Sequence, residues 1–322
     1  MFGPPIRYLL RRAATGIATL TVATVVVFGA VHLVPGSYTD VVLGPFATAQ
    51  ERANVRTQYG LDQPLPIQYV RWLAHVSVGD LGVSMGTGEP VARILTERVP
   101  VTLELAALAI LFTVCVGVPL ALLSGMARRQ FTRGAARVGG SAAMSTPDFV
   151  LASLFLFIFS THHLWLPAGG YVRLGDSVIG NLKSMVLPAI TLGIFGVAIV
   201  VRTGRDAVAT VLRAPHVTAA VARGETTPHI VVHHVLRNAA NPVITVLAAY
   251  VGYLMGGAII VEGLFSLPGI GQAILTGITT RDYGVVQGTV LFAAAAFIAI
   301  NMLADFAYGV VDPRVVASGG SA

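Results

Sequence analysis

The chain has 322 residues, of which 55% are hydrophobic and 11% charged, with a mean hydropathy of +0.76 and a formal net charge of +6. A soluble domain carries about a quarter charged residues, so a water-soluble globular class is excluded and lipid solvates most of the chain. One cysteine, Cys115, excludes an internal disulfide framework.

Six apolar runs, at residues 13–34, 105–126, 138–160, 184–201, 242–261 and 284–304, approach or exceed the roughly 20 residues a spanning helix needs. The pattern predicts an all-α polytopic membrane protein with six transmembrane helices. The first run follows Arg7, Arg11 and Arg12. It is longer than the ~7–15 apolar residues of a signal peptide and lacks a small-x-small cleavage site, so it reads as a retained anchor. The segment 35–98 is too polar for the bilayer and too short for a large core of its own. Within it, GLDQPLPIQYVRWL (60–73) predicts a turn and a short amphipathic helix with Tyr69 and Trp72 on its apolar side, and the glycines of GDLGVSMG (79–86) predict turns. Glu104 falls at the outer end of span two, Pro119 inside it, and the loop 127–137 holds four arginines and no acid.

Span three carries Pro147 and Asp148, and His162 and His163 follow it at the membrane edge. Span four contains Pro188. The inner segment 202–241 holds a short Ala-rich helix, His216 to Gly224, with Pro215 before it and Gly224 to end it. A second helical piece is predicted over 228–240, before Pro242 opens span five. Gly252, Gly256 and Gly257 suit span five to close helix contact. Between spans five and six, LFSLPGIG (264–271) is an apolar turn that predicts folding back on the bundle mouth.

The basic residues give orientation. With the N-terminus inside, Arg7, Arg11, Arg12, Arg128, Arg129, Arg133, Arg137, Arg202, Arg205, Arg213, Arg223, Arg237 and Arg314 are cytoplasmic, 13 of the 21 Lys plus Arg. Five of the other eight lie in the long 35–98 segment with six carboxylates, and long segments cross largely regardless of charge. Both termini are therefore inside.

Enzyme chemistry finds little footing. Gly82-Val83-Ser84-Met85-Gly86 fits a G-x-S-x-G nucleophile elbow, but the segment lacks room for the strand–turn–helix it needs. Glycine turns explain the match. His229 and His233 share a helix face at i, i+4; with no third ligand evident, solvated histidines are the simpler reading and no metal is assigned. The lone Lys183 precedes Ser184 without P-loop glycines, so any ATP is bound on another chain. Carboxylates inside spans are costly and hence candidate proton relays. Asp148 and Asp305 admit a proton-coupled secondary transporter, though bonding to backbone freed by Pro147 or to neighbouring helices is favoured. Asp148, Tyr250, Met255 and Glu262 are the candidate pathway residues. The short helix over 216–224 has two readings at this point: a docking element for a partner, or an amphipathic helix lying on lipid.

HVTAAVARGETTPHIVVHHVLRNAANPV (216–243) resembles the EAA-type cytoplasmic loop of binding-protein-dependent ABC importer permeases. Ala219, Ala220 and Gly224 fall on its Ala-Ala and Gly positions, and Asn241-Pro242 closes it. LVPGS (33–37), GLDQPL (60–65), GDLG (79–82), RVPVTLEL (98–105), LWLPAG (164–169), residues 261–271, RDYGVVQG (281–288) and VDPR (311–314) are similar to the first, B-type permease of dipeptide, oligopeptide and nickel importers. The chain departs at His216-Val217-Thr218, where an aromatic or acidic residue is commoner, and at Val221, where a basic one often stands.

The resemblance implies a type I ABC importer permease fold: an N-terminal helix (1–34), a small extracellular segment (35–98), a permease core (99–313) with a coupling loop at 205–240, and a tail (314–322). It implies a transport subunit for peptides in a bacterial plasma membrane, not an enzyme. Its partners would be a second homologous permease, one or two ATPase subunits holding ATP and Mg, and an extracytoplasmic binding protein, all in membrane lipid. His216, Val217, Thr218, Ala219, Ala220, Val221, Ala222, Arg223 and Gly224 would contact the ATPase. Asp62, Trp72, Asp80, Phe265, Pro268, Arg281 and Asp282 would meet the binding protein at the entrance.

Overall fold

A computed structural model describes residues 4–33, 38–44, 46–127, 130–161 and 165–311, without the side chains of 4–13, 38, 41–42, 130–133, 135–136 and 303–311. Outside the described residues lie 34–37, Arg128, Arg129, His162, His163, Leu164 and 312–322. So do the side chains of Arg7, Arg11, Arg12, Arg133 and Asp305. The described residues form helices and one isolated bridge, Val83 to Pro90. The chain divides into two units, Met1–Thr102 with Pro268–Ala322, and Leu103–Leu267.

Five helical stretches are long and apolar enough to cross a membrane: Ala14–Leu33, Val91–Met126, Val178–Val211, Thr227–Leu264 and Tyr283–Met302. The sixth expected span, 138–160, is not one rod. Arg137–Ser145 and Asp148–Thr161 meet at 93°. Pro147 sits at the corner, and a proline both lacks the N–H and pushes the residue before it out of helical geometry. Asp148 accordingly stands in the first turn of a new helix, not two turns into a continuous span.

In the first unit, α1 (Pro4–Leu33) packs with α14 (Tyr283–Val311), and α13 (Ile270–Thr279) packs on α14. The polar segment folds as α2 (Tyr38–Leu43), α3 (Ala49–Gln58) and α4 (Leu65–Ser77). Thr48 and Glu51 form a capping box on α3, which satisfies orphan N–H groups reciprocally. As expected, Tyr69 and Trp72 face inward. Their rings lie 5.3 and 6.0 Å from Phe28 of α1, and the Tyr69 hydroxyl is 2.9 Å from that of Thr24. The amphipathic α13 is absent from the sequence reading, because its ten residues are too few for a span and were read as part of a loop.

The second unit centres on α9 (Val178–Val211), with α6 (Val118–Met126) and α12 (Arg237–Leu264) packed along it. α5 (Val91–Phe112) joins α6 through a π-helical turn, Thr113–Gly117, just before Pro119. The close approaches run along α9. A Cβ on Gly193 would meet Phe112, one on Gly196 would meet Thr113 and Tyr250, and one on Gly204 would lie 2.8 Å from Ala121. Of the span-five glycines, Gly257 abuts Leu192 and Asp148, whereas Gly256 faces open space. The bent pair is α7 (Gln130–Ser145) and α8 (Asp148–Thr161). Pro242 does not open a span: α11 (Thr227–Ile230), a π-helical turn Val231–Leu236 and α12 form one helical stretch through it. The widened turn lies at 231–236, just before the N–H that Pro242 lacks.

Candidate functional site

The short inner helix is α10, Pro215–Ala222, with Pro215 at its first position after an extended Ala214. Its exit is a Schellman closure. Gly224 takes φ +80 and donates to the Val221 carbonyl at 3.0 Å, while Glu225 N–H reaches the Ala220 carbonyl at 3.2 Å. A left-handed residue is needed there, and glycine adopts it without a Cβ penalty.

Two of its side chains point inward. Val217 and Ala220 are 3% and 0% exposed, in one cluster with Val208 of α9, Ile230, Val235 and Ala239. Being three apart, they share one helix face. His216, Thr218, Ala219, Val221, Ala222 and Arg223 remain exposed, Val221 at 60%. The helix is thus pinned along one stripe and bare along the other.

Glu225, just past the exit, gathers the local charge. Its carboxylate accepts from the Arg223 guanidinium at 2.6 Å and from His234 Nε2 at 3.0 Å, with His229 Nε2 at 3.7 Å. The bonds from Arg223 and then His234 hold this carboxyl below its ordinary range. The expected His229–His233 pair shares a face, with rings stacked at 4.0 Å. Among the described residues, no group of three His, Cys, Asp or Glu is arranged to hold a metal.

The outer candidates separate. In the first unit, Asp282 is 5% exposed and accepts from Ser84 Oγ at 2.5 Å, from the N–H groups of Met85 and Gly86, and from Val285 N–H. The Ser84 hydroxyl also accepts from Thr87 N–H at 3.0 Å. The G-x-S-x-G segment is therefore a loop tied to the start of α14. Asp80 is exposed and caps Gly82 N–H, and its bond to His75 lowers its carboxyl pKa. Asp62 is exposed, Trp72, Pro268 and Arg281 are half-buried, and Arg281 takes φ +57. Phe265 belongs to the second unit, where it is 1% exposed and its carbonyl accepts from Gly170 N–H at 2.9 Å. There Leu267 of the apolar turn is also buried, while Leu264 and Ser266 are exposed.

The pathway candidates share the second unit. Tyr250 is 1% exposed and donates to the Leu192 carbonyl at 3.0 Å. The Tyr253 hydroxyl donates to the Asp148 carboxylate, and its ring stacks on Phe195 at 4.5 Å. Met255 is half-buried and Glu262 fully buried. Three groups escaped the sequence reading: Glu225, Tyr253 and Tyr171. The Tyr171 hydroxyl donates to Glu104 at 2.8 Å, and burial followed by that bond pushes its pKa up to about 12. Only the i, i+4 spacing of Glu225 and His229 was visible beforehand.

Residues 117–317 match the family described as binding-protein-dependent transport system inner membrane component, and residues 5–106 match its N-terminal counterpart. The chain is 33% identical over 308 residues to a probable peptide ABC transporter permease of Sinorhizobium fredii, covering 96% of this chain and 98% of the relative. It is 35% identical over 315 residues to a putative peptide permease of Brucella ovis, covering 96% and 99%. It is 34% identical over 310 residues to the glutathione transport system permease of Salmonella paratyphi A, also covering 96% and 99%. In fold it is similar to a chain of the MetNI methionine ABC transporter in inward-facing conformations, at a TM-score of 0.55 and 16% identity over 69% of this chain and 97% of that one. No finding supports the proton-coupled carrier. The chain belongs to the binding-protein-dependent transport system inner membrane component family, a multi-pass component of the bacterial plasma membrane.

Proposed function

We propose that this chain is a permease subunit of a peptide importer, driven by ATP that partner ATPase subunits bind with Mg. The observation that carries the coupling role is α10, anchored by Val217 and Ala220 and exposed along Ala219, Val221, Ala222 and Arg223. A rigid eight-residue helix with one buried stripe transmits a push from its bare side into α9 and α12, and so biases the bundle between two packings. The names of the relatives support the peptide class. A second homologous permease would complete the pathway, and an extracytoplasmic binding protein would deliver cargo at the outer face, with Asp62, Trp72, Asp80, Phe265, Pro268, Arg281 and Asp282 as contact candidates. Asp148, Tyr250, Met255 and Glu262 remain the pathway candidates, and the contacts of Asp148 with Tyr253 and of Tyr250 with Tyr253 and Phe195 favour these two among them.

The test is a mild-detergent pulldown from native membranes, paired with uptake of a labelled dipeptide. The wild type brings down a second permease, ATPase subunits and a binding protein. Ala219→Trp, placed on the bare stripe, keeps the chain in the membrane, loses the ATPase and cuts uptake at least tenfold. Recovery of the chain alone, or full uptake by Ala219→Trp, overturns the coupling role; uptake that glutathione but no dipeptide competes for overturns the substrate class.

A further inference from the structure

We infer that the first unit carries a binding site for one outer-leaflet phospholipid, its acyl chain in a groove along α1 and its phosphate at an adjoining polar cavity. The groove has a volume of about 290 Å³ and is walled by Val27, Ala30 and Val31 of α1 with Val286 and Val290 of α14. Arg281 also lines it. All its α1 residues fall in the last two turns of that helix, and its α14 residues in the first two turns. With the N-terminus inside, both ends lie at the depth of the outer leaflet.

The second cavity, of about 220 Å³, contains Arg71, Trp72, His32 and Gln287, and Tyr283 lines both spaces. The two therefore share one lining side chain. Their characters differ: the groove is lined mostly by aliphatic side chains, and the cavity by the Arg71 guanidinium, the Gln287 amide and the Trp72 indole, the His32 ring nitrogens being engaged by the Phe28 carbonyl and Gln68. The indole N–H of Trp72 is buried and has no acceptor among the described residues, and a buried donor left unpaired in this way is an exception that calls for a partner. Arg71 lines the cavity and Arg281 the groove, so both spaces carry positive charge, and a phosphodiester takes charge-assisted hydrogen bonds from guanidinium groups. An apolar groove and a polar cavity that share the Tyr283 side chain match a phospholipid, whose tail and phosphate are joined at the interface where Trp and Tyr settle. A free phosphate shares the headgroup chemistry but leaves the groove unused, and an apolar helix of another subunit leaves Arg71 and the Trp72 N–H unanswered. The inference is independent of which solute is carried.

The experiment is native mass spectrometry of the intact importer released from mild detergent, with palmitoyl-oleoyl phosphatidylglycerol as probe. Diacylglycerol of the same chains and glycerol phosphate serve as comparisons. The expected result is one phosphatidylglycerol retained, at least tenfold more tightly than diacylglycerol. Ala30→Trp, which fills the groove, should weaken retention at least tenfold. Arg71→Ala with Arg281→Ala should bring it to the diacylglycerol level. Gly29→Leu, on the same helix where a Cβ meets nothing within 4 Å, should retain the lipid and so separates site loss from misfolding. Equal retention of the two lipids overturns the proposal, as does indifference to Ala30→Trp. Saturable glycerol phosphate binding unaffected by Ala30→Trp assigns the cavity to a soluble phosphate instead. A photo-crosslinker at Ala30 that captures the second permease rather than lipid makes the groove a subunit contact, which also overturns it.

Discussion

Asp282 ties two distant stretches of the chain together. One buried side chain answers the Ser84 hydroxyl and three backbone N–H groups, two of them nearly 200 positions earlier in the chain. Removing a buried acceptor leaves its donors unsatisfied, at about 1–3 kcal/mol each. Asp282→Ala is therefore expected to destabilise the protein by about 3 kcal/mol or more, seen as a lower unfolding temperature in detergent. Ser84→Ala, which removes one donor to Asp282 and the acceptor of Thr87 N–H, should cost about 1–3 kcal/mol and leave peptide uptake intact; an unchanged melting temperature for Asp282→Ala would refute the tie. Glu225 gives a pH dependence. Its carboxyl is held below the ordinary value by Arg223 and His234, so the folded state gains wherever the group is ionised. That gain is present above the model-peptide value of 4.5 and fades as pH falls through the lower folded value. Proteolysis of the loop after α10 should accelerate below about pH 4.5 in the wild type, and Glu225→Gln should flatten that response.

At the scale of elements, the glycines of α9 decide how closely α5, α6 and α12 pack on it. Gly196→Ala would drive a Cβ into Thr113 Oγ1 and the Tyr250 ring, and overpacking of this kind costs about 1–3 kcal/mol. Gly256→Ala meets nothing within 4 Å and should gain up to about 1 kcal/mol from helix propensity. Thermal unfolding of the two variants side by side checks the contrast; equal shifts would mean that the crowding at Gly196 relaxes freely. The sequence pointed instead at Gly252, Gly256 and Gly257, because a glycine cluster signals possible contact without naming the partner helix. Spans were legible because hydropathy and length are local properties. The turn at Pro147 was hidden because apolar residues continue on both sides of it. The π-helical turns were hidden because hydrogen-bond register leaves no trace in composition. α10 was read almost to its bounds, since Pro215 and Gly224 are chemical stop signs; which of its faces is buried depended on Ile230, Val235 and Ala239, residues that arrive from the next helix.

For the whole molecule, the arginine distribution fixes which face meets which compartment, and that is testable without a partner. In a Cys115→Ala background, Ser77→Cys should react with a membrane-impermeant maleimide on intact spheroplasts, while Thr218→Cys should react only after permeabilisation. Both positions are exposed on the chain, so poor accessibility would not mask the outcome. Reaction of Thr218→Cys from outside would invert the topology and remove α10 from the reach of any cytoplasmic ATPase.

The 34 residues of α9 run in one piece while α5–α6 and α7–α8 are jointed. At 1.5 Å per residue that is a rod of about 51 Å. Its outer end is tied down at Asn181, whose amide donates to the Val172 carbonyl at 2.9 Å, and its inner end at Val208, which seats α10. If α9 turns as one body, without bending at its internal Pro188, a rotation of about 10° about one end carries the other through roughly 9 Å at that length. Lever arms of this size make small angular inputs into large gate displacements, so spectroscopic distance labels at the two ends of α9 would read out the transport cycle directly.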